Sequence, residues 1–191
     1  MKIFALLLIG FMGLLGLLGL TGCSQSGSDL PAGNLIQEEA PVAGVQWSYP
    51  EAWTRDTGRP MRVVTYSIPA AQGDPEAGEC GVFYFGEQQG GDIDGNIQRW
   101  GAQFEGATQA EKTALTVDGL NVTTVRIEGT FLAPSGPMME SQGKKENYKL
   151  LGAIIEAPGG MIFFKCTGPA KTVEKAQPVF LSMVNSTKKK Q

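Results

Sequence analysis

Residues 3–20 carry no charged or polar side chain, and Lys2 supplies a single positive charge ahead of them. This is the layout of a secretory signal, with a basic start, a greasy middle and small residues before a cut. The competing reading is a transmembrane anchor, because 18 apolar residues lie at the lower edge of a spanning helix. Gly10, Gly13, Gly16 and Gly19 lower the helix propensity of that stretch. Under either reading the run stands outside any water-soluble core, so the fold must be built from the residues beyond it.

The run closes on Leu20-Thr21-Gly22-Cys23. Those four residues resemble the lipobox of bacterial lipoprotein signal peptides. The resemblance implies that the Cys23 thiol takes a diacylglyceryl group, that the chain is cut before it, and that the new amine is acylated as well, palmitate being one such chain. Several acyl chains on one residue give stable anchoring, since each buried methylene contributes roughly 0.8 kcal/mol. Ser24 rather than Asp follows the cysteine. In a Gram-negative host the resemblance therefore implies the periplasmic face of the outer membrane.

Cleavage before Cys23 leaves 169 residues, one domain's worth of chain. They hold 15 cations against 19 acids, a net charge of −4. With Lys188, Lys189 and Lys190 set aside, the body is at −7. An acidic body argues against nucleic acid, which needs clustered Lys and Arg. Histidine is absent altogether. That excludes Ser-His-Asp and Cys-His catalysis in their usual forms and removes the commonest transition-metal ligand.

The organisation read from texture is a signal at 1–22, a lipidated N-terminus and linker at 23–44, a domain at 45–187 and a basic tail at 188–191. Residues 24–44 are rich in Ser, Gly, Pro and acid. As a linker their 21 residues reach about 70 Å at most. Strands are expected at 45–49, 61–68, 80–85, 112–117, 120–131, 148–157 and 161–166, each apolar or alternating and bounded by turn residues. Cys80 to Phe85 is apolar on both faces, as a central strand is. Ile93, Ile97, Trp100 and Phe104 make the stripe of an amphipathic helix capped by Asp92. A last helix runs from Pro169, and Pro178 is expected to kink it or restart it. The fold class expected is α+β: an antiparallel sheet of about six to seven strands with helices packed on it.

Trp47-Ser48-Tyr49-Pro50-Glu51-Ala52-Trp53 resembles the opening strand and turn of PsbP-like domains. Phe163-Phe164-Lys165-Cys166-Thr167-Gly168-Pro169, followed by a helix with Phe180 and Met183, resembles their last strand and helix. The likeness covers roughly residues 45–187 and implies an α/β/α sandwich. Known members include extrinsic assembly or accessory proteins. No functional residue carries over, because the histidines of the photosystem member have no counterpart here.

Few residues offer chemistry. Asp92, Asp94 and Asn96 alternate like the start of a calcium loop, but Ile97 and Gln103 occupy the positions that need Gly and Glu. The pattern reads as a capped helix start, and neither a metal nor a cofactor is expected. Cys80 and Cys166 are either a disulfide or two separately buried thiols. Arg99 and Trp100 offer a partner-facing patch, as does the pair Met138 and Met139 in a long polar loop. The acids show no converging pair for acid/base work. The leading reading is a non-enzymatic, membrane-anchored binding or assembly module with a protein partner in the envelope. The alternative is a small-ligand binder with a pocket between sheet and helix; an enzyme has the least support.

Overall fold

The computed structural model describes residues 33–133 and 143–190. Cys23, Met138 and Met139 lie outside them. The chain enters through β1 (Leu35–Gln37), followed by β2 (Val45–Gln46) and β3 (Ser48–Pro50). β1 pairs antiparallel with β3, with Leu35 opposite Pro50 and Gln37 opposite Ser48. The linker expected over 24–44 is thus docked on the domain from residue 33 onward. Polar contacts hold it there. Glu38 is 5% exposed. Its carboxylate accepts from Arg55 Nε at 3.0 and 3.1 Å, from Arg55 Nη2 at 2.9 Å and from the Tyr66 hydroxyl. Trp47 Nε1 donates to the same hydroxyl at 2.9 Å. Burial and the adjacent Glu38 carboxylate both push the Tyr66 phenol far above its ordinary range, so it stays a donor. Such contacts leave no hydrophobic period to read.

The main sheet has eight strands. It begins with β4 (Thr54–Asp56), β5 (Val64–Ile68) and β6 (Gly78–Tyr84), then breaks for α1 (Ile93–Gly101). It resumes with β7 (Phe104–Glu105), β8 (Glu111–Val117), β9 (Leu120–Leu132), β10 (Lys144–Ala157) and β11 (Gly160–Pro169). α2 (Ala170–Asn185) and β12 (Lys188–Lys189) close the chain. The spatial order is β4-β5-β6-β11-β10-β9, with β7 and β8 sharing the outer edge of β9. Every pairing is antiparallel. β8 to β11 form the expected meander. Its first turn is Asp118-Gly119, both at positive φ (49° and 71°), as a type I′ hairpin requires.

Alternation along the strands makes two cores. Tyr66, Val82, Phe164, Leu151 and Ile155 face one side with Phe180, Met183 and Val184 of α2. Phe163, Leu150, Ile154, Val125 and Ile127 face the other with Ile97 and Trp100 of α1. Trp47 packs edge-to-face on Phe164, ring centroids 5.2 Å apart, and Trp53 leans on Tyr66 at 6.3 Å. Cys80 and Cys166 oppose each other on β6 and β11 with Cα atoms 3.8 Å apart, and their sulfurs are bonded.

Three local expectations differ. The single strand expected over 45–49 is divided at Trp47, β2 pairing with β12 and β3 with β1. The lysine tail therefore lies in a short strand rather than free, and Lys189 N–H donates to Asp118 Oδ2 at 2.8 Å. α1 stops at Gly101, so Phe104 is buried from β7 rather than from the helix. Of the two outcomes expected at Pro178, the restart does not occur, and α2 runs through it as one element. A mid-helix proline costs about 3 kcal/mol. Burying Val173, Phe180, Met183 and Val184 outweighs it at roughly 1.5–3 kcal/mol each.

Replacing Glu38 by Ala leaves the Tyr66 hydroxyl and Arg55 without their acceptor. Because Arg55 is partly exposed, the loss should fall at the low end of the roughly 3–5 kcal/mol seen when a buried pair is broken. Chemical denaturation of the purified protein measures it. An unchanged midpoint would show that the 33–44 segment is not held by this carboxylate.

Candidate functional site

α1 spans only nine residues, roughly 13 Å, and covers part of its face of the sheet. On β11 the residues facing that side are Phe163, then Lys165, then Thr167. The face turns from apolar to polar where the helix gives out. Across the strands Lys165 stands in the row Val125–Gly152–Lys165–Gly81–Thr65. A glycine sits on each side of it. A Cβ at Gly152 would overlap the Trp100 ring, so that glycine admits the indole. A Cβ at Gly81 would come within 2.9 Å of the Phe83 ring and 3.4 Å of Arg62 Nη1. Gly81 therefore admits the Phe83 ring beside Lys165.

The result is a cleft of about 400 Å³ with Gly81, Lys165 and Thr167 at its floor. One wall carries Arg59, Arg62, Glu79 and Phe83; the other carries Glu76, Lys145, Tyr148 and Phe131. Lys165 also lines an adjoining crevice of about 230 Å³ under α1, between Phe83, Phe85, Phe163, Trp100, Asn96, Arg99 and Gln103. Phe85 is 46% exposed at its mouth.

The charges in the cleft are unequally matched. Glu79 takes both Arg59 and Arg62, each at 2.6 Å. Glu76 takes Lys145 at 2.8 Å and accepts from the Tyr148 hydroxyl. Lys145 holds the Glu76 carboxyl below its ordinary range, and burial raises the Tyr148 phenol. Lys165 has no carboxylate within ion-pair distance among the described residues. Its ammonium donates to Gln103 Oε1, just beyond the end of α1, and lies 6.0 Å from the Phe131 ring centre. Two of its three N–H groups are then left to face the cleft. Burial pushes it down to about 8; Arg62 pushes the same way and Glu79 opposes. Chemically, the arrangement presents a desolvated cation with spare donors beside an aromatic crevice.

The residues singled out from sequence are placed differently. Asp92 Oδ1 accepts from Gly95 N–H at 2.7 Å, Asp94 pairs with Lys112 at 2.7 Å, and Asn96 donates to the Gly90 and Asp92 carbonyls. Asp92 and Asn96 are thus engaged in the helix start, and Asp94 ties it to β8. Trp100 is 7% exposed, and so forms a wall of the crevice rather than an outward patch. Arg99 donates to the Gly90 carbonyl and to Asn96 Oδ1. A second cavity, beside Glu105, Glu128 and Glu146, has two of those acids paired, with Lys144 and Lys149. Sequence reasoning passed over Lys165. Its signal was a lone cation inside the apolar strand Met161 to Cys166.

Lys165→Met keeps the aliphatic stem and removes the charge. The native state binds the Lys165 proton less tightly than the unfolded chain does, so that proton costs stability below about pH 8. The cost fades as pH rises through the interval between about 8 and the ordinary value of 10.5. The Met variant should therefore be more stable at pH 7 by roughly 1–3 kcal/mol. The gap should close near pH 10.5. A variant less stable at pH 7, or a gap that ignores pH, would contradict this account.

No model of a known protein family matches the sequence, and neither does any curated protein. Solved structures do match. The solution structure of cyanobacterial PsbP (CyanoP) from Synechocystis sp. PCC 6803 superimposes with a TM-score of 0.51 at 15% identity, over 89% of this chain and 98% of that one. A crystal structure of PA94, a protein of unknown function from Pseudomonas aeruginosa, gives 0.46 at 11% identity, over 81% and 96%. The eight-stranded antiparallel sheet with its two helices has the fold of a PsbP-like domain.

Proposed function

We propose that this protein is a membrane-anchored lipoprotein of the cell envelope whose domain is a non-enzymatic binding module, acting through the cleft above Lys165. The observation that carries the reading is a cation with no carboxylate partner among the described residues, at the floor of a cleft of about 400 Å³. Natural proteins keep destabilising groups where function needs them. Catalysis is not favoured, because the nearest acids are already committed to Arg59, Arg62 and Lys145 and none is placed as an acid or base beside Lys165. The alternative of a small-ligand binder gains from the crevice under α1, whose aromatic walls suit an apolar group.

Anchoring rests on Leu20-Thr21-Gly22-Cys23. Intact-mass analysis of the membrane form should show a chain that begins at an acylated Cys23, and Cys23→Ser should abolish maturation. Residues 1–22 retained on the wild-type membrane form would overturn the lipoprotein reading. Binding is tested by a photoreactive residue at Arg59, on the cleft rim. Irradiated cells should yield a protein or small-molecule adduct that disappears when Lys165→Met is added. No adduct, or one indifferent to Lys165, would remove the cleft from the proposal.

A further inference from the structure

We propose that the cleft takes a small amphiphilic carboxylate, its head on the Lys165 ammonium and its apolar body in the aromatic crevice under α1. This rests on the reading of the domain as a binding module and specifies its ligand.

The head is set by the charge pattern. Arg59 and Arg62 share Glu79, and Lys145 is matched by Glu76. Arg59 is matched a second time, by Asp56 at 3.3 Å, and among the described residues Lys165 is the cation of the cleft that no carboxylate matches. One ammonium with two spare donors matches a carboxylate. A phosphate would call for bidentate guanidinium contacts or backbone N–H groups from a helix start. Both guanidiniums here are already held on Glu79.

The body is set by the side chains adjoining Lys165. Phe83, Phe163 and Trp100 wall the crevice, and Phe85 stands at its mouth, 6.2 Å from Phe83 and 5.9 Å from Phe163 between ring centres. The Arg62 guanidinium lies 5.4 Å over Phe83, a ring that lines both cleft and crevice. Because Lys165 borders both spaces, one ligand reaches them together. Their volumes, about 400 and 230 Å³, suit a compact molecule rather than a protein segment.

The experiment uses the full protein purified from membranes into lipid nanodiscs, with empty nanodiscs as the control for partition into lipid. Equilibrium dialysis is run with 4-phenylbutyrate, its neutral amide, butyrate and phenylpropyl phosphate. The phenyl carboxylate should bind best. The amide should bind about tenfold more weakly or worse, since a charge-assisted hydrogen bond contributes roughly 1.5–3 kcal/mol, and butyrate should lose at least as much because it lacks the ring that fills the crevice. Lys165→Met should weaken the carboxylate by a similar factor and leave the amide unaffected; Lys165→Arg should retain much of the affinity. Phe85→Ala should weaken the carboxylate and the amide alike. Equal binding of carboxylate and amide, or no loss in Lys165→Met, would overturn the proposal, as would no binding at all. Preference for the phosphate would overturn the choice of head. If the carboxylate fails while the Lys165-dependent adduct from position 59 persists, the ligand class falls and the binding module stands.

Discussion

Successive residues of β10 and β11 point to opposite sides of one sheet, and most of the rest of the structure depends on that alternation. Leu151, Ala153 and Ile155 go to the side of α2, with Phe164 and Cys166 beside them. Leu150, Ile154 and Phe163 go to the side of α1. A shift of one residue in register would exchange the two sets and leave both helices against the wrong surface. The two sides are not equally covered. α2 has 16 residues and α1 has nine. The shorter helix leaves a strip of sheet without a lid, and there the inward residues of β11 change from Phe163 to Lys165 and Thr167.

That strip is where the local choices stop agreeing with stability. A lysine in the middle of a sheet face, with glycines opposite it on both neighbouring strands, buries little apolar surface and desolvates a charge. A Val or Met at position 165 would fit the same backbone with a smaller penalty. The glycines have separate reasons: Gly152 makes room for Trp100, and Gly81 makes room for the Phe83 ring. Cavity, uncommitted charge and aromatic wall coincide at one point, although each has a separate structural cause.

Much of the architecture was legible in the sequence because it rests on period and punctuation. The alternation of residues 120–131, the Asp118-Gly119 turn and the Asp92 cap are local signals, and each appears as read. The elements that were not legible depend on contacts distant in sequence. β1 is held by Glu38 against Arg55 and Tyr66, and β12 by Val45, Gln46 and Asp118. Neither segment has an apolar stripe. At Pro178 burial of the side chains around it carries the helix on as one element, so the restart that the local rule allowed does not occur. The cleft was hidden because its residues come from β6, β10, β11 and the segments around them, and only the register brings Lys165 opposite Gly81.

The docking of β1 also alters the geometry of a tether. Were Cys23 held in the bilayer as proposed, the chain available to span from lipid to folded surface would end at Gly33, where the described domain begins. Ten residues reach about 35 Å fully extended, half of what an undocked segment to residue 44 would allow. A domain on so short a leash cannot search the full depth of an envelope compartment. Anchored in that way it would patrol a shallow layer against its own membrane, where anything released from or embedded in that bilayer would meet it at high effective concentration.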